Sequence, residues 1–221
     1  VYDERAVSAE ELLQALRDNF AGHEALRQRL QRCPHYGNDD PFVDDLAVDI
    51  STHVFREFMG QTPWRGGRFL ASCLMFVTYG IFGAQVGATP DGRFAQAPVA
   101  DSAGAVQGRD ISGPTALLRS VAKVPHFLAP GTLVINIRFM RRLFDDPALR
   151  DQLKALVRTY FDLGGMQLQI NVVDQAALRA ALDDPDAHRD LIVRVGGYSE
   201  YFHLLSRDLQ ESVLERVEHG A

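Results

Sequence analysis

Residues 191–199 read Leu-Ile-Val-Arg-Val-Gly-Gly-Tyr-Ser, a short apolar run followed by a glycine pair. The run from Leu191 to Val195 predicts a strand, and we predict a last helix from about residue 200 to 218. A glycine pair between two elements is typical of a turn, because glycine adopts positive φ without steric cost. The pair does not fit a phosphate-binding loop, which needs spaced glycines and a lysine.

Strands and helices alternate upstream of this stretch. The hydrophobic periodicity predicts helices at about 114–123, 146–162 and 175–183, with strands at 132–139 and 166–173. Strands separated by helices of this length favour an α/β architecture.

The first quarter of the chain is predicted to be helical. A capping box at Ser8 begins a helix over 8–20, and a second helix covers 22–31. Asp40 and Pro41 begin a third helix, which runs to about residue 59. The acidic residues ahead of it predict a helix cap and not a calcium loop, since the glycine and distal glutamate of an EF-hand are missing. The apolar stripe of the third helix consists of Val43, Leu46, Ala47, Ile50, Val54 and Phe58.

The middle of the chain is read as one strand and one long loop. Residues 68–79 are apolar and predict a buried strand. Residues 80–113 show no periodicity and are rich in glycine and proline, but apolar residues are interspersed. A connection of that length is usually functional or disordered. The interspersed apolar residues predict an ordered loop that packs on the body.

Composition excludes several classes of protein. The chain has 221 residues, 46% of them hydrophobic, and a net charge of −6. This predicts one large or two small globular domains without the basic stripe of a nucleic-acid reader. No apolar run reaches the length of a membrane span and no leader is visible, so we expect a cytoplasmic protein. Neither the two cysteines nor the seven histidines show metal-ligand spacing, and we predict no metal site.

Several segments of the chain resemble one enzyme family, beginning with Arg194-Val195-Gly196-Gly197-Tyr198. The first resembles the glycyl radical signature, Arg-Val-small-Gly-Tyr, in which the glycine before the tyrosine holds the radical. Further segments match the family in order: Pro34 to Asp40, Gly87 to Arg93, Gly108 to Asp110, Gly113 to Ala116, Ser120 to Lys123, Tyr160 to Gly165 and Gln169 to Val173. Because the matches are collinear from about residue 8 to 219, the chain is identified as resembling the C-terminal portion of a glycyl radical enzyme.

The resemblance implies a fold and its division. The chain would be the C-terminal part of the ten-stranded β/α barrel of these enzymes, with helices packed outside. Residues 1–97 would close the barrel domain, and residues 98–221 would form the glycine radical domain. Asn136, Gln169 and Asn171 would then lie near the barrel interior, although asparagines at ladder ends or bonded in the core are an equal alternative.

The resemblance assigns the radical to Gly197, with Arg194, Val195, Gly196 and Tyr198 supporting its loop. Loss of an α-hydrogen leaves a radical that is stabilised when Cα flattens and conjugates with both amides, and a Cβ would crowd that flattened backbone. A reactive intermediate also needs shielding from water and oxygen. By resemblance, an S-adenosylmethionine-dependent iron–sulfur activating enzyme installs the radical. No bound cofactor is therefore expected.

The resemblance also implies parts that this chain lacks. In the family, the glycyl radical passes to a cysteine in a Cys-x-Glu loop, and the resulting thiyl radical attacks a small-molecule substrate. Cys33 precedes Pro-His and Cys73 precedes Leu-Met, so we predict structural roles for both. We therefore expect two required partners, the N-terminal barrel half and the activating enzyme. We also expect the enzyme to be a homodimer.

Several functions stay open at this point. A lyase or dehydratase that eliminates water, an amine or a similar group from a small polar substrate is the first hypothesis. Gln167, where many members carry histidine, and the pair Asp101-Ser102 argue against a close copy of pyruvate formate-lyase. A formate C-acetyltransferase and radical addition to fumarate remain alternatives among enzymes. A stand-alone radical-carrying subunit is disfavoured by the extra segment 1–97, and a degenerate structural homologue by the intact loop around Gly197.

Overall fold

The computed structural model describes residues 5–75, 78–140, 142–172, 175–194, 199–215 and 218–219. The helices of this part of the chain are α1 (Ala9–Arg17), α2 (Glu24–Gln31), α3 (Pro41–Gly60), α4 (Thr78–Gly83), α5 (Gly113–Lys123), α6 (Arg142–Asp145), α7 (Pro147–Asp162), α8 (Gln175–Asp183) and α9 (Arg207–Glu215). The strands are β1 (Asn136–Phe139), β2 (Gln169–Asn171), β3 (Ile192–Arg194), β4 (Ser199–Tyr201) and β5 (Glu218–His219), and short 3-10 turns cover His126–Leu128 and Phe202–Leu204.

The predicted helix starts are confirmed by their caps. The Ser8 hydroxyl accepts a hydrogen bond from the Glu11 amide at 3.0 Å. The Asp40 carboxylate accepts from the amide of Phe42 at 3.0 Å, just after Pro41 at the first helical position. These bonds satisfy amides that have no partner within the helix. The helices predicted at 114–123, 146–162 and 175–183 are also confirmed, as α5, α7 and α8.

A parallel sheet lies at the centre of the fold, in the order β2-β1-β5. The chain passes from β1 to β2 through α6 and α7, which is the helical crossover that a parallel pair requires. Helices α5 and α7 share a buried core with β1. That core consists of Leu117, Leu118, Val121, Ile135, Ile137, Phe139, Leu153 and Tyr160. The sheet and its helices confirm the expected α/β architecture.

The strand predicted at 68–79 is wrong. Within the described residues this stretch makes one isolated parallel bridge, between Cys73 and Leu133, and residues 76 and 77 lie outside the described part. Phe69 and Leu70 are exposed rather than buried. The predicted strands at 132–139 and 166–173 are likewise shorter than expected. The physical reason is that a strand is defined by backbone pairing with a neighbour, and only short stretches find such a neighbour here.

The single helix predicted over 200–218 is also wrong. Its first residues form β4, which pairs antiparallel with β3, and α9 begins only at Arg207. Phe202, Leu205 and Val213, which would have lined one face of the predicted helix, are nevertheless buried together. Pairing of β4 with β3 satisfies the backbone groups that a helix would otherwise have bonded internally.

Helix α3 presents much of its apolar stripe outward. Leu46, Ile50, Val54 and Phe58 are exposed, as is Phe42, and the exposed fraction is 64% at Ile50 and 66% at Phe42. The helix meets α5 and the turn at 126–128 on another side, through buried positions that include Phe55. No helix among the described residues combines the length and the apolar character that a membrane span needs.

Candidate functional site

The β3–β4 hairpin flanks the glycine pair. Ile192, Val193 and Arg194 pair with Tyr201, Glu200 and Ser199, so the chain leaves β3 opposite the residue at which it enters β4. Arg194 Nη1 donates to Ser199 Oγ at 3.3 Å across this last pair. Val195, Gly196, Gly197 and Tyr198, which the sequence singles out, lie outside the described residues. The structure thus gives the frame on both sides of the signature.

The hairpin is anchored by a buried core and by one side-chain amide. Val193 and Phe202 are almost fully buried against α8 and α9. Gln210 Nε2, on α9, donates to the Phe202 carbonyl at 2.8 Å, and the Phe202 amide donates to the Leu191 carbonyl at 2.8 Å. The Phe202 carbonyl also accepts from the Leu205 amide at 3.2 Å, and the Gln210 side chain is itself buried. The frame around residues 195–198 is therefore firmly packed.

The three residues expected near the barrel interior lie together on one face of the sheet. Asn136 is the register partner of Gln169, and Asn171 is the partner of Arg138. Alternate residues of a strand share a face, so these four side chains form one polar face, opposite the face that Ile135 and Ile137 turn to the core. We call Asn136, Arg138, Gln169 and Asn171 the polar face.

The polar face is buried and carries unusual hydrogen-bonding capacity. Arg138, Gln169 and Asn171 are each less than 9% exposed. Asn136 Nδ2 donates to Asp101 Oδ2 at 2.8 Å. Asn136 Oδ1 and Asn171 Nδ2 are buried and have no hydrogen-bond partner among the described residues. A buried polar atom left in that state costs about 1–3 kcal/mol, so this face is chemically suited to a small polar molecule.

The loop at residues 101–102 covers one end of this face. Ser102 Oγ donates to Asp101 Oδ1 at 3.1 Å and accepts from the Met75 amide at 3.0 Å, which fixes the carboxylate beside Asn136. A cavity of about 30 Å³ lies at β1, and its lining includes Asp101, Asp110 and Arg138. That volume is sufficient for one water molecule.

Sequence reasoning missed Arg138, although its position is visible in the strand pattern. Ile135, Ile137 and Phe139 alternate with Asn136 and Arg138, and this alternation places both polar residues on the face away from the core. Arg138 is 2% exposed. A buried guanidinium is rare unless it is paired.

The two cysteines lie in different environments. Cys33 is exposed at the end of α2, and its Sγ lies 3.6 Å from the Arg29 carbonyl. Cys73 forms the isolated bridge with Leu133, and burial raises the pKa of its thiol. No group of three or more histidine, cysteine, aspartate or glutamate residues in the described part of the chain could hold a metal ion.

Models of two protein families match the chain. One, described as glycine radical, matches residues 99–203, and the other, described as pyruvate formate lyase-like, matches residues 1–83.

Characterised relatives match nearly the whole chain. Trans-4-hydroxy-L-proline dehydratase of Clostridioides difficile is 36% identical over 219 residues, which are 99% of this chain and 28% of the relative. (2S)-3-Sulfopropanediol dehydratase of Klebsiella oxytoca is 36% identical over 224 residues, covering 99% of this chain and 27% of the relative.

A solved structure matches the fold. The glycerol-bound form of the B12-independent glycerol dehydratase from Clostridium butyricum superposes with a TM-score of 0.96 at 37% identity, over 100% of this chain and 28% of that chain. This chain therefore spans little more than a quarter of the length of its relatives. The glycine radical domain implies a protein-based radical as the cofactor. The chain belongs to the glycyl radical enzyme family.

Proposed function

We propose that this chain is the radical-carrying portion of a glycyl radical lyase or dehydratase, with the radical stored on Cα of Gly197. The observation that carries the proposal is the β3–β4 hairpin, because its paired ends, Arg194 and Ser199, bracket the signature in a chain that superposes on a glycerol dehydratase. Dehydratases among the relatives favour elimination from a small polar substrate over formate acetyl transfer.

The proposed chemistry divides between this chain and a partner. A radical on Gly197 would take a hydrogen atom from a cysteine thiol, which leaves glycine intact and creates a thiyl radical. Neither Cys33 nor Cys73 lies in a Cys-x-Glu sequence, so the thiol must come from the remaining barrel portion. That portion and the small-molecule substrate are the partners that we propose for catalysis.

Exposed features of the chain support such a partner. The outward stripe of α3, with Ile50 and Phe58, is apolar, and large exposed apolar surfaces usually mark an interface. No described strand pairs with the outer edge of β2, and open parallel edges are templates for a further strand. We propose that the remaining barrel portion covers both.

The polar face supports a role in substrate binding. Asn136, Gln169 and Asn171 supply amide donors and acceptors on one buried surface, which is the chemistry that hydroxyl groups require. We propose that this face lines the substrate cavity and that Arg194, Val195, Gly196 and Tyr198 support the radical loop.

We also propose the division into residues 1–97, from the barrel domain, and residues 98–221, the glycine radical domain. The interval between the two matched family ranges contains this boundary and supports it. The expected cytoplasmic location and homodimer remain parts of the proposal. Size-exclusion chromatography with light scattering on the complete enzyme tests the dimer.

Installation of the radical requires a second protein. We propose an S-adenosylmethionine-dependent iron–sulfur activating enzyme that removes one α-hydrogen from Gly197. The test is anaerobic activation of the chain together with the remaining barrel portion, followed by EPR spectroscopy and then exposure to air. A doublet glycyl signal and oxygen-dependent cleavage at Gly197 are expected.

Gly197→Ala should abolish both the signal and the cleavage, because alanine cannot hold a flattened radical centre without crowding. Gly60→Ala is the matched control, since a Cβ at that position meets nothing within 4 Å. A wild-type protein that stays EPR-silent and uncut under these conditions would overturn the proposal. The coding sequence upstream of Val1 distinguishes a portion of a longer enzyme from a stand-alone radical-carrying subunit. A reading frame that continues into a Cys-x-Glu loop excludes the stand-alone subunit.

A further inference from the structure

The part of the chain on both sides of Gly197 is built on a core of its own. Residues 175–194 and 199–215, which we call the C-terminal unit, bury one cluster of side chains: Leu178, Ala181, Val193, Phe202, Leu205 and Val213. None of these residues belongs to the core that β1 shares with α5 and α7. The C-terminal unit therefore needs separate contacts to hold its position against the sheet.

Arg138 makes such a contact from the centre of the sheet. Its Nη1 donates to the Leu214 carbonyl, in the last turn of α9, at 3.4 Å. The same carbonyl accepts from Gln175 Nε2, at the start of α8, also at 3.4 Å. Arg138 thus reaches the point at which the two helices of the C-terminal unit meet.

Backbone pairing reinforces this contact. Arg138 is the register partner of Glu218, and Phe139 is the partner of His219, so β5 lies parallel to β1 directly after α9. Arg138 therefore contacts α9 through its side chain and β5 through its backbone.

The chemistry of arginine suits the position. The last carbonyls of a helix have no partner within the helix and carry partial negative charge, so a cation there is favourable. A guanidinium stays charged at any physiological pH and offers five donors, which allows it to bond the helix end and other groups at once. With 2% of Arg138 exposed, the interaction is shielded from solvent.

We propose that Arg138 is a positioning residue, which holds the C-terminal unit, whose two segments flank Gly197, against the polar face of the sheet. The role in positioning the radical rests on the proposed function of Gly197, whereas the attachment itself does not. Two readouts separate the two claims.

The first readout is hydrogen exchange of the complete enzyme, without activation. Arg138→Met keeps much of the side-chain volume but removes the charge and the donors. We expect backbone amides from α9 through β5 to exchange at least tenfold faster, while α5 and α7 keep wild-type protection. The matched control is Arg150→Met, because Arg150 is an exposed arginine on α7. This variant should change neither the exchange from α9 through β5 nor that of α5 and α7.

The second readout is the lifetime of the EPR signal after anaerobic activation and exposure to a fixed, low oxygen concentration. A loosened C-terminal unit should shorten the lifetime several-fold in Arg138→Met, and Arg138→Lys should restore part of it because the charge remains. A wild-type enzyme that forms no radical would refute the function of Gly197, and the exchange experiment would still report on Arg138.

The attachment is refuted if exchange from α9 through β5 equals that of the wild type, or if it rises equally throughout the sheet and α5. The positioning role is refuted if exchange rises locally but the lifetime of the signal does not change. Should Arg138→Met fail to fold, Arg138→Lys carries both readouts, with a smaller local increase in exchange expected.

Discussion

Removal of the Lys123 ammonium group should destabilise the chain through a carboxylate that it neutralises. Lys123 Nζ donates to Asp44 Oδ2 and to Asp39 Oδ1, each at 2.7 Å, and so joins α5 to the start of α3. The Asp44 side chain has no exposed surface. Ser120 Oγ also donates to Asp44 Oδ2, at 3.0 Å. Among the described residues Lys123 is the only cation paired with this carboxylate, and Lys123→Met would remove the charge while keeping the aliphatic stem.

The expected magnitude follows from the burial of the two partners. Removing one partner of a buried ion pair costs about 3–5 kcal/mol, because the other charge stays buried without compensation. The Lys123 side chain is 34% exposed, and the Ser120 bond remains, so we expect about 2–3 kcal/mol. For a chain of this size, that corresponds to a fall in Tm of about 4–12 °C.

Urea denaturation followed by circular dichroism measures this loss. Lys154→Met is the matched control, because Lys154 pairs with Asp151 on the surface and both side chains are more than 70% exposed. It should change the free energy of unfolding by less than about 0.5 kcal/mol. The reasoning is refuted if the two variants behave alike. The double variant Lys123→Met/Asp44→Asn should recover part of the lost stability, because it also removes the buried charge of Asp44.

The same interaction predicts a pH dependence at alkaline pH. Partial burial by itself lowers the pKa of Lys123, but the hydrogen bonds to Asp39 and Asp44 outweigh it and raise the pKa above its ordinary value of 10.5. The folded state then holds the proton more tightly than the unfolded state. The stabilisation is therefore complete below the ordinary value and is lost as the pH rises through the raised pKa. The difference in unfolding free energy between wild type and Lys123→Met should stay constant from pH 7 to 9 and shrink above 10.5.

Three further predictions follow from local geometry. Gly37→Ala should cost about 2–4 kcal/mol in unfolding free energy, because φ is +98° and the new Cβ would lie 2.8 Å from the Ala105 Cβ, whereas Gly22→Ala, with open space, should cost only about 1 kcal/mol. Iodoacetamide at pH 8 should alkylate exposed Cys33 well before Cys73, whose thiol pKa is raised by burial; equal rates would contradict the burial of Cys73. Arg93→Met should make the surrounding loop sensitive to brief proteolysis, since its buried guanidinium bonds several carbonyl groups of that loop, and unchanged resistance would show that the loop is held by other contacts.

The family could be identified from the sequence because its signatures are local. The segment from Arg194 to Ser199 and the collinear motifs upstream are readable without any structure, and the comparisons confirm the family that they indicate. The assignment of the radical to Gly197 stays a prediction, since it rests on the signature.

The sequence by itself determined where α1, α3, α5, α7 and α8 begin, whereas α4 and α6 were not predicted. A helix bonds each amide to a carbonyl four residues away, and its caps at Ser8 and Asp40 lie within three residues of their partners. Everything needed for these elements is therefore contained in a short stretch of chain.

Only the tertiary structure decided which apolar stretches became strands and which residues share the polar face. Residues 68–79 have the composition of a strand, but their described part makes one bridge, whereas Ser199–Tyr201 became a strand because β3 lies beside it. The pairing of Arg138 with Asn171 joins parts of the chain that are far apart in sequence. Strand pairing depends on such distant partners, and for that reason composition and periodicity could not settle it.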